Sequence, residues 1–244
     1  MQENGIVNIR DLVKTFEGHE VISHCSMTVR RGTIYGFLGV NGAGKTTILK
    51  MIMGLLTPTS GEITVTGKAM PEKRTEVLSR IGSIIEIPTF YEHLSAEENL
   101  NIHLSYMGAS GTDSKVVLRK VGLEHTQGQP VSKFSLGMKQ RLGIARAIVH
   151  QPDILLLDEP LNGLDPVGIR QMREILLSLS KEQNMTIIIS SHILNEIEHI
   201  ADIIGVLTNG QIEKEVSMEN IRLEYPNGLE DYFFKIMSGG SVNE

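Results

Sequence analysis

Apolar residues follow two rhythms along this chain. Up to residue 38 they come in short runs: Ile6-Val7-Asn8-Ile9, Leu12-Val13, Val21-Ile22, Met27-Thr28-Val29 and Ile34 to Leu38. Gly18 and Arg30-Arg31-Gly32 punctuate them, a pattern that predicts antiparallel strands leading into a strand over 33–38. A helix is expected over 46–53. Leu56-Thr57-Pro58-Thr59-Ser60-Gly61 reads as a turn, Glu62-Ile63-Thr64-Val65 as an alternating strand, and Ile81 to Ile85 as a buried strand ended by Glu86-Ile87-Pro88.

From Pro88 to about Phe134 the period becomes helical. Ser95-Ala96-Glu97-Glu98 is a capping box opening a helix through Leu100, Ile102, Leu104 and Met107. The run 107–112 breaks it, 115–121 forms a second helical stretch, and Gln127-Gly128-Gln129-Pro130 is a loop. Ser135 is a natural N-cap for a longer helix with Leu142, Ala145, Ile148 and Val149 on one face. Ile154-Leu155-Leu156-Leu157 then runs into Asp158-Glu159. A continuous apolar run suits a strand covered on both faces, hence a parallel sheet. Asp165-Pro166 opens a helix burying Ile169, Met172, Ile175, Leu176 and Leu179. Met185 to Ser190 is a further buried strand ended by Ser191-His192, and Ile193-Leu194, Ile197 and Ile200-Ala201 mark another helix. Runs at 203–207 and 211–216 flank Thr208-Asn209-Gly210 as a hairpin. The tail has a short amphipathic stretch (Leu229, Phe233, Ile236), a Gly/Ser end and an expected capping role. The expected organisation is an α/β core over 1–88 and 135–215 that includes an antiparallel β subdomain. A small helical subdomain is inserted over 89–134, and 216–244 form an extension.

Composition narrows the picture. At 244 residues the chain can bury enough surface to fold without a disulfide or a metal. Cys25 stands alone, which fits a reducing compartment and a small core residue. The 23 Lys and Arg against 29 Asp and Glu give a net charge of −6, which argues against a nucleic-acid-binding surface. No apolar run approaches a membrane span, and Met1-Gln2-Glu3-Asn4 does not resemble a signal peptide. The chain is expected to be soluble by itself, with another chain supplying any membrane spans.

The chemistry concentrates in Gly39-Val40-Asn41-Gly42-Ala43-Gly44-Lys45-Thr46-Thr47, which fits the phosphate-loop spacing without a mismatch and lies between a predicted strand and a predicted helix. Glycines let successive backbone N–H groups turn inward onto phosphate oxygens, and the helix N-terminus adds partial positive charge. Lys45 would reach the β- and γ-phosphates, and the Thr46 hydroxyl would ligate Mg²⁺. Asp158 is placed to orient that metal. Glu159 would lie beside the γ-phosphate and accept a proton from an attacking water; the bland alternative is a cap or a solvated turn. His192, ending a strand of the same sheet, would contact the γ-phosphate or be structural. Phe16 either stacks on a base or packs in the core. Ser135-Leu136-Gly137 is a second small-residue helix start that could hold an anion, and Glu86 by default is a solvated loop glutamate.

Together these pieces resemble the ATP-binding subunits of ABC transporters, over nearly the whole chain. The family's Walker A resembles Gly39 to Thr46, and its signature segment resembles Phe134-Ser135-Leu136-Gly137-Met138. Its Walker B resembles Ile154 to Asp158 with Glu159 as catalytic carboxylate, its D-loop Leu161 to Asp165, and its switch histidine His192. The resemblance implies a P-loop NTPase (RecA-like) core, ATP and Mg²⁺, and a head-to-tail homodimer on ATP. Each ATP would lie between one loop and the partner's Ser135, Gly137 and Met138. It also implies membrane-spanning permease subunits docking at the helical subdomain and the Glu86 loop, and a peripheral position on the cytoplasmic face of the membrane. Phe16 stands where the family's adenine-stacking Tyr is usual. Leu136 and Met138 depart from the signature. Glu86 replaces the Mg²⁺-sensing glutamine, which resembles the lantibiotic self-immunity and bacitracin-resistance exporters. The expected cargo is therefore a peptide antibiotic. The alternatives are another exporter ATPase, for drugs or lipids, a soluble ABC ATPase acting on nucleic acid or ribosomes, and a P-loop kinase.

Overall fold

In the computed structural model, residues 5–109 and 112–237 are described. Met1 to Asn4, Ser110-Gly111 within the predicted helix break, and the Gly/Ser end from residue 238 lie outside them. The chain opens with two long strands, β1 (Gly5–Phe16) and β2 (His19–Arg30), followed by β3 (Ile34–Leu38) and α1 (Lys45–Ile52). Then come β4 (Ser60–Val65), β5 (Lys68–Met70), α2 (Arg74–Leu78) and β6 (Ile81–Ile84). A helical region follows with α3 (Ala96–Met107), α4 (Ser114–Lys120) and α5 (Leu136–Ile148). The chain returns through β7 (Ile154–Asp158), α6 (Pro166–Gln183), β8 (Thr186–Ser191), α7 (Leu194–Glu198), β9 (Ile203–Thr208) and β10 (Gln211–Ser217), and then α8 (Met218–Glu224) and α9 (Leu229–Met237).

The short apolar runs of the N-terminus merge into two 12-residue strands because each strand carries an extra residue. Asp11 (φ 49°) and His24 (φ 48°) sit in left-handed bulges where the β1–β2 register shifts. Each bulge resets the in/out alternation, so sequence periodicity alone breaks there.

A four-stranded antiparallel sheet, β2-β1-β4-β5, faces a six-stranded sheet ordered β10-β9-β3-β8-β7-β6. The second is parallel from β9 to β6, and only β10 runs against its neighbour. Its apolar strands alternate between two cores, as a sheet covered on both faces must. Ile154 and Leu156 of β7 join the core against the antiparallel sheet and α1. Leu155 and Leu157 join the core against the helices. Cys25 is fully buried in the first core.

Local signals end the helices where physical chemistry requires. Ser95 and Glu98 form a reciprocal capping box at the start of α3, and Gly108 closes it in the left-handed region. Asp165 accepts from the Gly168 N–H to start α6, which buries Met172, Leu176 and Leu179 but leaves Ile169 and Ile175 only half-buried. The β9–β10 turn places Asn209 (φ 48°) and Gly210 (φ 77°) in the left-handed region, the hairpin geometry that twists with its strands. Beyond β10 the chain is more than a loose amphipathic stretch. Met218, Ile221, Leu229 and Tyr232 are buried in the core that the helices share. Of the predicted apolar face of the tail, Leu229 is buried, whereas Phe233 and Ile236 pack on its margin.

Candidate functional site: a phosphate loop facing two carboxylates

The C-terminal ends of β3, β7 and β8 lie side by side, because β8 pairs with β3 and β7 in parallel. Open parallel sheets bind ligands at this edge. From β3 the chain enters Gly39 to Gly44 and then α1. Two of these glycines are required by the fold itself. A Cβ on Gly39 would lie 2.6 Å from the Leu207 carbonyl oxygen. Gly44 caps α1 at φ 109°, where a Cβ would also meet Ile22 at 2.4 Å. Val40, Asn41 and Gly42 are exposed, Ala43 is buried, and Thr46 and Thr47 are half-buried. No side chain caps α1, and an uncapped helix start of this kind suits an anion.

Lys45 is 6% exposed, yet it is not unpaired. Its Nζ donates to the Gly39 carbonyl at 2.7 Å and the Val40 carbonyl at 3.3 Å, and lies 3.6 Å from Glu159 Oε1. A buried ammonium requires such partners. The lysine thus folds back along its own loop, at the place where phosphate oxygens would replace those carbonyls. Thr46 Oγ1 donates to Asp158 Oδ2 at 2.6 Å. Glu159, one residue beyond the strand, stands at φ 49°. Its Oε2 accepts from the His192 backbone N–H at 3.3 Å and lies 2.9 Å from His192 Nδ1. The structure therefore brings Lys45, Thr46, Asp158, Glu159 and His192 into one connected network.

One member of the network was not foreseen. Ser190 is fully buried and faces Asp158 across the β7–β8 register. Its hydroxyl donates to Asp158 Oδ1 at 2.6 Å and accepts from the Glu159 N–H at 2.9 Å. The sequence signal was its place at the end of a buried strand, two residues before His192.

Other predicted site residues sit apart. Phe16 is 40% exposed, so it is not a core residue, and Lys14 Nζ lies 4.8 Å from its ring centroid. Ser135 caps α5 by accepting from the Met138 N–H at 3.3 Å, with Leu136 half exposed beside it. Among the described residues no hydrogen bond or ion pair joins Ser135, Gly137 or Met138 to the loop. Glu86 is exposed at φ 65°, and Lys50 of α1 holds it at 2.7 Å; that hydrogen bond keeps its carboxyl below the usual range. Its partner Lys50 lies four residues beyond Thr46 on α1.

A loop built for phosphates, a buried lysine within it, and two adjacent carboxylates at the end of β7 define a P-loop nucleotide hydrolase. The sequence pattern described as ABC transporter matches residues 22–162, more than half of the chain, and the chain belongs to that family. It is an ATP-binding subunit of the transport-coupled ATPase class. The bacitracin transport ATP-binding protein BcrA of Bacillus licheniformis is 48% identical over 218 residues, covering 89% of this chain and 71% of that one. The lantibiotic transport ATP-binding protein SrtF of Streptococcus pyogenes is 45% identical over 227 residues, covering 92% and 97%. A solved ATP-binding subunit of an ABC transporter superposes with a TM-score of 0.82 at 28% identity, covering 96% of this chain and 99% of that one. No helix among the described residues is long and apolar enough to cross a membrane.

Proposed function

We propose that this chain hydrolyses ATP as a homodimer on the cytoplasmic face of a membrane and drives the export of a peptide antibiotic through separate membrane subunits. The reaction rests on the site, and its carrying observation is Glu159, held between Lys45 and His192 beside the loop. The cargo class rests on the likeness to BcrA and SrtF.

The donor set fits Mg²⁺. Thr46 Oγ1 and the Asp158 carboxylate are hard oxygen ligands, and Mg²⁺ takes one or two such ligands together with substrate phosphates. When bound, the metal neutralises charge developing on the phosphates. Lys45 exchanges its two carbonyl partners for phosphate oxygens and anchors the triphosphate. Glu159 accepts the proton of the attacking water. His192 orients Glu159 through Nδ1 and presents its other ring nitrogen towards the γ-phosphate. Phe16 offers an exposed ring face to the adenine. If Glu86 ligates the metal, it does so while Lys50 holds its Oε1, so the glutamate in place of glutamine adds an ion pair at that position.

The exposed start of α5, with Ser135, Gly137 and Met138, contacts the nucleotide held by a second copy. Membrane subunits dock on the helical region. Its groove of about 410 Å³, between Phe90, Tyr91, His103, Tyr106 and Arg146, carries the largely exposed Tyr106. Nucleic acid is not a partner in this reading.

Glu159→Gln tests the proposal. It should keep ATP affinity, lower hydrolysis about 100-fold or more, and trap an ATP-bound dimer detectable by size-exclusion chromatography. Near-normal hydrolysis would remove Glu159 from the base role. For the cargo, loss of the chain should sensitise its cell to bacitracin or a lantibiotic. Unchanged sensitivity to both, with raised sensitivity to lipophilic drugs, would reassign the exporter.

A further inference from the structure

We infer that Ser190 is a positioning residue for hydrolysis: its single hydroxyl fixes the metal-side carboxylate and the base carboxylate relative to one another. This rests on the proposed role of Glu159. Asp158 and Glu159 are adjacent in sequence but differ in conformation. Asp158 ends β7, still paired to Ser190 in the sheet, whereas Glu159 has turned to φ 49°. The left-handed region is unfavourable for a non-glycine residue and persists only where surroundings hold it. Here they do. The Glu159 N–H donates both to the Ser190 hydroxyl at 2.9 Å and to the Ser190 carbonyl at 3.2 Å. The same hydroxyl gives its one proton to Asp158 Oδ1 at 2.6 Å, while Thr46 occupies Oδ2 at 2.6 Å. Both carboxylate oxygens of Asp158 are thereby aimed, and the turn that carries Glu159 is fastened at its first atom.

The chain of contacts runs Thr46–Asp158–Ser190–Glu159–His192, so the two adjacent carboxylates are joined through one oxygen, beside the direct Lys45–Glu159 contact on the loop side. Ser190 is fully buried, and its hydroxyl is spent on Asp158 and the Glu159 amide. Its effect must pass through its neighbours. Without the hydroxyl, Asp158 Oδ1 loses its donor and the Glu159 N–H keeps only the longer bond. ATP binding, which depends on the loop and Lys45, should be spared.

The test is a comparison of wild type, Ser190→Ala, Glu159→Gln and the double variant by steady-state ATP hydrolysis, with hydrogen exchange at the Glu159 amide. Ser190→Ala should lower kcat about 10-fold, leave KM for ATP within about 3-fold, and speed exchange of that amide; losses of this kind mark an interaction used in the transition state. In the Glu159→Gln background the serine change should cost little more, because residues acting as a unit are non-additive. A wild-type kcat in Ser190→Ala, or a loss that adds in full to that of Glu159→Gln, overturns the inference while leaving the ATPase proposal standing. A wild type that does not hydrolyse ATP with magnesium would instead overturn the proposal beneath it.

Discussion

Two helices in this chain begin with small residues, and their first turns are built from different sources. At α1 every functional group depends on distant segments. Gly39 and Gly44 clear space for Leu207 and Ile22, Lys45 meets Glu159, and Thr46 meets Asp158. At α5 the first turn is satisfied by its own Ser135, and the glycine has room to spare: a Cβ on Gly137 would meet Leu164 at an ordinary 3.7 Å. The chain's own packing therefore explains the glycines of the first turn and leaves Gly137 unexplained. Under the proposed dimer, that difference separates a half-site completed within one chain from a surface offered to a second copy.

Substitutions at the two turns should separate accordingly. The largest effect belongs to Lys45→Ala. Removing a charge-assisted phosphate contact costs about 1.5–3 kcal/mol, so ATP affinity measured by calorimetry should fall on the order of 10- to 100-fold. Unchanged affinity would break the comparison at its stronger end. Ser135→Ala should be milder. It removes an N-cap worth about 1 kcal/mol of stability, lowers hydrolysis at low protein concentration, and leaves the affinity of one chain for ATP intact. A loss of affinity equal to that of Lys45→Ala would show that both turns serve one chain.

The smallest effect sharpens the contrast from the helical side. His103 of α3 packs against His150, just beyond α5, with ring centroids 5.6 Å apart. Burial, with the nearby His150 and Arg146 charges, pushes its pKa down to about 4. The unfolded chain, with an ordinary histidine pKa near 6.5, takes up that proton first. Stability is therefore unaffected above about pH 6.5 and declines as pH falls from there towards 4. His103→Gln should flatten this part of the Tm-against-pH curve, and an unaltered slope would acquit His103.

Much of this was legible in the chain. The loop spacing, the apolar strands of β7 and β8 and the capping box of α3 are local patterns, and each appears in the fold. What stayed hidden was made by contacts between distant segments. The bulges at Asp11 and His24 broke the alternation, so two long strands read as fragments. Helix α8 is seven residues long with only Met218 and Ile221 buried, too little to register as a period. Ser190 joined the site through the β7–β8 register, which lies 32 residues away in sequence from Asp158. Phe16 was open between base and core, and only packing could expose it.

The left-handed turn at Glu159 has a further consequence. Glycine would relax that backbone but could not accept the proton that the proposed reaction assigns to Glu159, so under that proposal the position cannot be optimised for endurance and for turnover together. Thermal robustness gained there by relaxation would be surrendered as speed, and selection for a hardier protein must look elsewhere in the molecule.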